Sequence, residues 1–423
     1  MDKRLSQDRQ MVGMNMEFPK LRPIEAFPVE TSGKQAICIK DPLNYSKNTL
    51  VGPPHVFDII SHFDGSHSIL DIQSKYSQQY GNLLFSDNIT KIIKELDKNL
   101  FLENNRSRTF IKKIKDDFKN SPVRKAIHAG TAYENDNARL RSQIDKFFTS
   151  ADGPGKPSLQ NNSDRLRGII APHIDIRHGG PCFAWAYKEI AETSNAEIFI
   201  IFGIAHTDTN NLFALTTKSF ETPFGIIETD IEFMQSFQKQ FKFDYFEDEF
   251  VHKNEHSIEF QLMFLQYLYY NKKDFKILPI LCSSFDFVEG NNGDPKQIPQ
   301  FENFISSLKE TIEKSKKKIC LIASVDLAHV GLRFGDREAP DETFLKKLEQ
   351  EDLGLLKHVG NLDAKMFYDC IQDVNNKRRI CGYPAIYAML NVIRAKEAKL
   401  LKYSQDYDQN TGSTVSFASM AFY

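Results

Sequence analysis

The sequence predicts a three-layered α/β domain preceded by a small N-terminal winged-helix-like module. From Leu166 onward, short and nearly continuous apolar runs alternate with longer segments of helical period, the pattern of strands buried on both faces of a largely parallel sheet. Upstream, residues 18–103 lack that alternation and read as short helices punctuated by turn signals. The length of 423 residues allows two or three domains at roughly 150 residues each.

In the N-terminal module, residues 54–63 (PHVFDIISHF) carry apolar side chains at helical spacing, and Asp64-Gly65 closes the segment. Ser68 and Asp71 form a capping box, whose hydroxyl and carboxylate satisfy free N–H groups at the start of a helix reaching about Tyr76. Ser86 is placed to cap a third helix over 87–98, where Ile89, Ile92, Ile93 and Leu96 share one face. Leu100-Phe101-Leu102 comes next as the first strand of a wing. On the third helix Lys91, Lys94 and Lys98 are offset by Asp87, Glu95 and Asp97, whereas a DNA-recognition helix carries net positive charge towards phosphates. Residues 104–128 read as a basic linker, and 129–423 as the large domain, with an exposed polar loop at 151–165. Its strands are expected at 166–171, 197–204, 276–282, 318–325 and 413–422.

Composition narrows the functional classes. Lys and Arg total 54 against 56 Asp and Glu, a net charge of -2, which excludes a polybasic surface for nucleic acid or membrane. With 41% apolar and 26% charged residues the chain is not broadly disordered. Six cysteines without a CxxC spacing read as reduced thiols and not as a disulfide framework. The first residues contain no apolar signal core, and no run approaches the roughly 18 apolar residues of a membrane span. A cytoplasmic protein is expected.

Ligands of open α/β sheets bind outside the carboxyl ends of the strands, and those ends carry unusual residues here. After the first strand of the large domain come Pro172-His173-Ile174-Asp175 and then Arg177-His178; after the second come His206 and Asp208; after 318–325 come Asp326 and His329. One such histidine is ordinarily a hydrogen-bonded structural residue, but three delivered to one sheet edge form a site. His256 opens an apolar helix within Glu255-His256-Ser257-Ile258-Glu259, a position that favours the neutral imidazole a general base needs. Glu255 and Glu259 either orient it or cap the helix. Arg177 either clamps a carboxylate or phosphate or pairs with Asp175. Cys381 stands at the entrance of a Gly-Tyr-Pro turn, whereas Cys282 and Cys320 lie inside strands as core residues, and Cys182 and Cys370 fit either role. Two imidazoles and a thiolate make a borderline-soft site suited to zinc, Fe(II) or copper.

In this order the residues resemble the Memo family, and within it the bacterial proteins called component B of the AmmeMemoRadiSam system. The matching pieces are Ala171-Pro172-His173, Gly179-Gly180-Pro181, Gly203 with His206, Thr222-Pro223-Phe224-Gly225, the 255–259 motif, Pro279-Ile280, Ser324-Val325-Asp326 with His329 and Gly331, and Cys381-Gly382, with 129–133 fitting the family's start. The N-terminal block resembles small PqqD-like domains that hold peptides or partner proteins. The Memo resemblance implies a fold similar to class III extradiol dioxygenases, which use non-haem iron. It implies His173, His206 and Cys381 as metal ligands, His256 as the acid–base histidine, and Asp326 and His329 lining the same pocket; Glu255, read from its place beside His256, joins these as a catalytic candidate. Iron is the implied metal, with copper or zinc as alternatives, and the implied partners are a small-molecule or peptide substrate and radical-SAM and AMMECR-type proteins. The family's first motif often continues Ala-Gly-Tyr and its second often ends Pro-Ser-His-His; this chain has Ile174-Asp175-Ile176 and Ile204-Ala205-His206-Thr207. The ligand positions survive, while Asp175, Arg177, His178 and Asp208 are expected to give the pocket its own substrate contacts. Three functions are compatible with these residues: a metal-dependent oxidoreductase, a zinc hydrolase with Glu255 or His256 as base, or a non-catalytic scaffold.

Overall fold

The computed structural model describes residues 17–31, 33–158, 164–270, 272–285 and 294–423. The chain divides after Asn120 into two compact units.

In the first unit, strands β1 (Glu25–Thr31), β2 (Lys34–Lys40) and β3 (Leu50–Gly52) form an antiparallel sheet. Helices Pro54–Ile60, Ile69–Tyr80, Ser86–Lys98 and Asn105–Asn120 come after it in the chain. Ile59, Ile60, Phe63, Ile72, Ile89, Ile93 and Leu96 pack with Ile39 and Phe101 into one core. The Ser68–Asp71 capping box is present, and its helix runs on to Tyr80, where Gly81 takes the left-handed conformation (φ 68°) that ends it. Ser86 is the first residue of its helix and not its cap; its hydroxyl donates to Gln73 Oε1 at 3.0 Å. The segment expected as a wing strand makes only an isolated bridge, Leu21 to Leu102, because Leu100 adopts a positive φ of 64° and breaks the extended run. The three-stranded sheet upstream is an addition the periodicity did not suggest.

The second unit is a mixed α/β structure of three layers. Its large sheet has the order β12 (His329–Gly331), β14 (Ser413–Phe422), β5 (Gly168–Ala171), β11 (Ile319–Ser324), β6 (Ile198–Ile204), β10 (Lys276–Cys282), β7 (Phe213–Leu215), with β13 (Ala398–Asp408) on the free edge of β14. All five strands expected from apolar runs form. The middle strands β5, β11, β6 and β10 are parallel, whereas β7, β12, β13 and β14 are antiparallel, so the sheet is mixed. The short 409–412 turn makes a hairpin of β13 and β14, a connection only antiparallel strands permit.

Side-chain alternation explains the continuous apolar runs. Along β6, Ile198, Ile200, Phe202 and Ile204 enter one core while Phe199 and Ile201 enter the other. Helices Ile231–Gln238, Pro299–Lys314, Glu342–Gly360, Ala364–Gln372 and Tyr383–Val392 cover the first face, and Asn137–Thr149, Ile176–Thr193 and Glu259–Tyr269 the second. A small sheet joins β4 (Val123–Arg124), β8 (Ser219–Thr222) and β9 (Gly225–Ile227). All six cysteines are free thiols, and among the described residues no helix is long and apolar enough to cross a membrane.

Candidate metal centre

His173 lies two residues past the end of β5, His206 two past β6 and Asp326 two past β11. Because β5, β11 and β6 are adjacent and parallel, their carboxyl ends open on the same edge. The 255–259 motif closes that edge from the start of helix Glu259–Tyr269. Ser257 Oγ accepts from the Ile204 N–H at 3.0 Å and donates to the Ile204 carbonyl at 3.1 Å. Gly203 is what permits this approach, since a Cβ there would sit 2.6 Å from Ser257 Oγ. Gln261 Nε2 reaches Pro172 O at 2.7 Å and Ser324 Oγ at 2.6 Å. The helix start is thereby tied to all three strand ends.

His173, His206 and His256 come together there, with ligand atoms all within 4.8 Å of one another. Their ring centroids are 5.0, 5.2 and 4.9 Å apart. Each ring has its Nδ1 occupied: His173 faces the Ser324 carbonyl at 3.0 Å, His206 the Glu255 carboxylate at 3.0 Å and His256 the same carboxylate at 3.1 Å. With Nδ1 of each ring turned to an acceptor, Nε2 is the nitrogen left to face a metal ion. Cys381 Sγ sits 3.3 Å from His173 Nε2 and 3.7 Å from the Asp326 carbonyl.

Glu255 is the organising anion. Besides the two imidazoles, it accepts the backbone N–H groups of His206 (3.1 Å), His256 (2.8 Å) and Ser257 (3.0 Å). Burial pushes its carboxyl up, but His206 and His256 outweigh burial and hold it well below the usual carboxylate range. Burial likewise pulls His206 down, and the Glu255 and Cys381 side chains overcome this and raise it well above the ordinary histidine value. Burial, followed by the neighbouring His206 and His256, drives His173 well below that value and keeps it neutral. Burial also raises the Cys381 thiol and lifts Asp326 to about 6.

A cavity of about 420 Å³ opens over the cluster, lined by the three histidines with Asp326, His329, Arg333 and Phe334 among others. Asp326 Oδ1 accepts from the His173 and Ile174 N–H groups at 3.0 and 3.1 Å. His329 Nδ1 meets the carbonyls of Leu327 (3.2 Å) and Arg379 (3.1 Å), and burial lowers it to about 4. Asp175 and His178 stand on the cavity wall. Asp175 caps helix Ile176–Thr193 and pairs with Arg177, whose Nε lies 2.9 Å from Asp175 Oδ1, so the pairing alternative for Arg177 is the one formed. His178 Nδ1 meets Asp406 Oδ1 at 3.1 Å. Arg177 and Asp208 are not among the lining residues.

Sequence reasoning missed the support beneath the site. Arg124 and Glu259 form an ion pair with no exposed side-chain surface. Arg124 also donates to the backbone carbonyls of His252 (3.0 Å) and Glu255 (2.6 Å), and Tyr133 donates its hydroxyl to Glu259. His128 sits edge-on to His256 at 5.9 Å between ring centroids, with burial lowering it to about 4. The available signal was Glu259 itself, an acid heading an otherwise apolar helix face.

Fold and site together define a class: a three-layered α/β protein whose strand ends gather three imidazoles fit for a metal ion. Residues 124–421 match the family model described as Memo-like protein, and the chain belongs to the Memo family. A MEMO1 family protein of Aquifex aeolicus is 29% identical over 410 residues, covering 96% of this chain and 100% of that protein. MEMO1 family proteins of Methanopyrus kandleri (28% over 302 residues) and Methanococcus maripaludis (30% over 307 residues) each cover 70% of this chain and 96% and 98% of their own lengths. The archaeal relatives thus match a length close to that of the second unit, while the Aquifex protein spans nearly the whole chain.

Proposed function

We propose that the chain is a metal-dependent oxidoreductase of the Memo family, with non-haem iron held by His173, His206 and Cys381 and with copper or zinc as the alternative ions. The supporting observation is that His173, His206 and His256 bring ligand atoms within 4.8 Å of one another, each with Nδ1 on an acceptor, and that the Cys381 thiol lies 3.3 Å from His173 Nε2. Iron at such a site supplies redox chemistry at the coordination positions the protein leaves open. His256, on the cavity wall, moves protons for a small substrate, and Asp326 and His329 bound the space that substrate occupies. Glu255 orients both imidazoles; its five donors leave it no capacity to act as a base, so a hydrolytic reaction would depend on His256.

Metal content after anaerobic purification tests this reading. Wild-type chain is expected to carry iron, and Cys381→Ala and His173→Ala to lose most of it. Equal metal in all three would rule the site out. A winged-helix-like, PqqD-like N-terminal unit that docks radical-SAM or AMMECR-type proteins belongs to the same proposal. Co-purification of such a partner with the full chain, and not with a chain lacking residues 1–120, tests that part.

A further inference from the structure

The buried face of helix Glu342–Gly360 carries Leu348, Leu355, Leu356 and Val359, and among them Asp352, whose side chain has no exposed surface. A carboxylate enclosed in such a face is unfavourable unless its oxygens are served. Asp352 Oδ1 accepts from Arg378 Nη1, and Oδ2 accepts from Ser416 Oγ at 2.5 Å and Tyr403 Oη at 2.9 Å. Arg378 has a second acid nearby, Glu351, with Oε2 3.6 Å from Nε. Asp352 does not line the histidine cavity, but two of its three partners lead there.

Ser416, on β14, fixes the segment after β11. Its hydroxyl accepts the Ala328 N–H at 3.0 Å, its carbonyl the Leu327 N–H at 2.8 Å, and its N–H donates to Ala328 O at 2.9 Å. Arg378 fixes the segment that carries Cys381. The Arg378 carbonyl accepts the His329 N–H at 2.8 Å, the Arg379 carbonyl meets His329 Nδ1 at 3.1 Å, and Gly382 N–H donates to Asp326 O at 3.2 Å. The loop of Asp326 and His329 and the loop of Cys381 are thus laced together. In the second loop Asn375, Asn376 and Arg379 have φ of 48°, 44° and 51°. Asparagine tolerates that left-handed region, whereas Arg379 holds it only because its surroundings impose it. The Asp352–Arg378 pair and an Arg379–Asp336 pair at 2.7 Å grip this turn on either side.

We propose that Asp352 is a positioning residue for the metal centre, holding the Cys381 loop through Arg378 against the 326–329 loop that it holds through Ser416. The Cys381 thiol is thereby kept 3.3 Å from His173 Nε2. This inference rests on the reading of Cys381 as a metal ligand. The three imidazoles have anchors of their own, Ser324 O for His173 and Glu255 for His206 and His256. Loss of the Asp352 tie therefore displaces the thiol and leaves the rings in place.

Cobalt(II) loaded into the metal-depleted full chain tests this, because its visible ligand-field bands report bound metal and a near-ultraviolet charge-transfer band reports thiolate coordination. Asp352→Asn keeps an oxygen for Ser416 and Tyr403 but turns an amide donor towards the Arg378 guanidinium. Asp352→Asn and Arg378→Met are expected to bind cobalt and yet lose most of the charge-transfer absorption per bound ion, as Cys381→Ala does. Arg378→Lys, which can remake the ion pair, should retain it. The proposal is overturned if Asp352→Asn and Arg378→Met keep the wild-type band, or if Arg378→Lys loses as much as Arg378→Met. It is also overturned if bound cobalt and the band fall in proportion, the mark of a fold simply lost. A wild-type chain without the band would refute Cys381 as a ligand and this inference with it; a band that persists in the variants refutes the role of Asp352 alone.

Discussion

At the residue scale, Glu255 organises more of the histidine cluster than any other side chain. One carboxylate meets Nδ1 of both His206 and His256 and accepts the backbone N–H groups of His206, His256 and Ser257. Glu255→Gln keeps the shape but replaces one oxygen by a donor, which faces an imidazole N–H instead of accepting from it. Metal affinity is expected to fall about 10–100-fold, the usual effect of losing a group that orients a ligand, in competition against a chelator. Wild-type affinity in this variant would show that the imidazoles orient themselves.

At the element scale, the segment around β4 is fastened beneath helix Glu259–Tyr269 by the buried Arg124–Glu259 pair. The pair is enclosed by Tyr133 and by the N–H of His128 at 3.0 Å from Glu259 Oε1. Removing one member strands a buried charge, at a cost of about 3–5 kcal/mol. Glu259→Leu should lower the urea midpoint of the second unit accordingly, and Arg124→Met with Glu259→Leu should cost less than the sum of the single changes. Additive losses would mean that the two groups are not coupled.

At the scale of the molecule, stability should depend on acidity through buried neutral histidines. His252, 1% exposed, keeps Nε2 on the Ala214 carbonyl at 3.0 Å, and burial depresses it to about 3. A depressed histidine contributes fully above its unfolded value of about 6.5 and loses that contribution as pH falls from there towards the folded value. For His252 alone the loss is about 2 kcal/mol at pH 5. Urea unfolding of the metal-free chain between pH 5 and 8 should therefore show a steeper acid decline in wild type than in His252→Gln. Parallel profiles would assign the decline to other groups.

Five strands of the large sheet were legible from their apolar runs, because a strand buried on both faces must be apolar throughout, as Ile198–Ile204 is, whereas the longer but half-exposed β13 was not. His173, His206 and Asp326 were legible because adjacent parallel strands deliver the residues after their carboxyl ends to one edge. Short-range pattern does not report pairing direction, so the antiparallel flank of β12, β13 and β14 emerged only in three dimensions, as did the sheet of β1 to β3. The same holds for the support of the site. Arg124 and Glu259 stand far apart in the chain, and only the packed fold encloses both charges in one dry space. The order of residues was enough for the layered class and for the polar groups at the strand ends. Packing settled which ring nitrogens meet an acceptor and that Arg177 pairs with Asp175, because hydrogen bonds and burial depend on neighbours that sequence order does not supply.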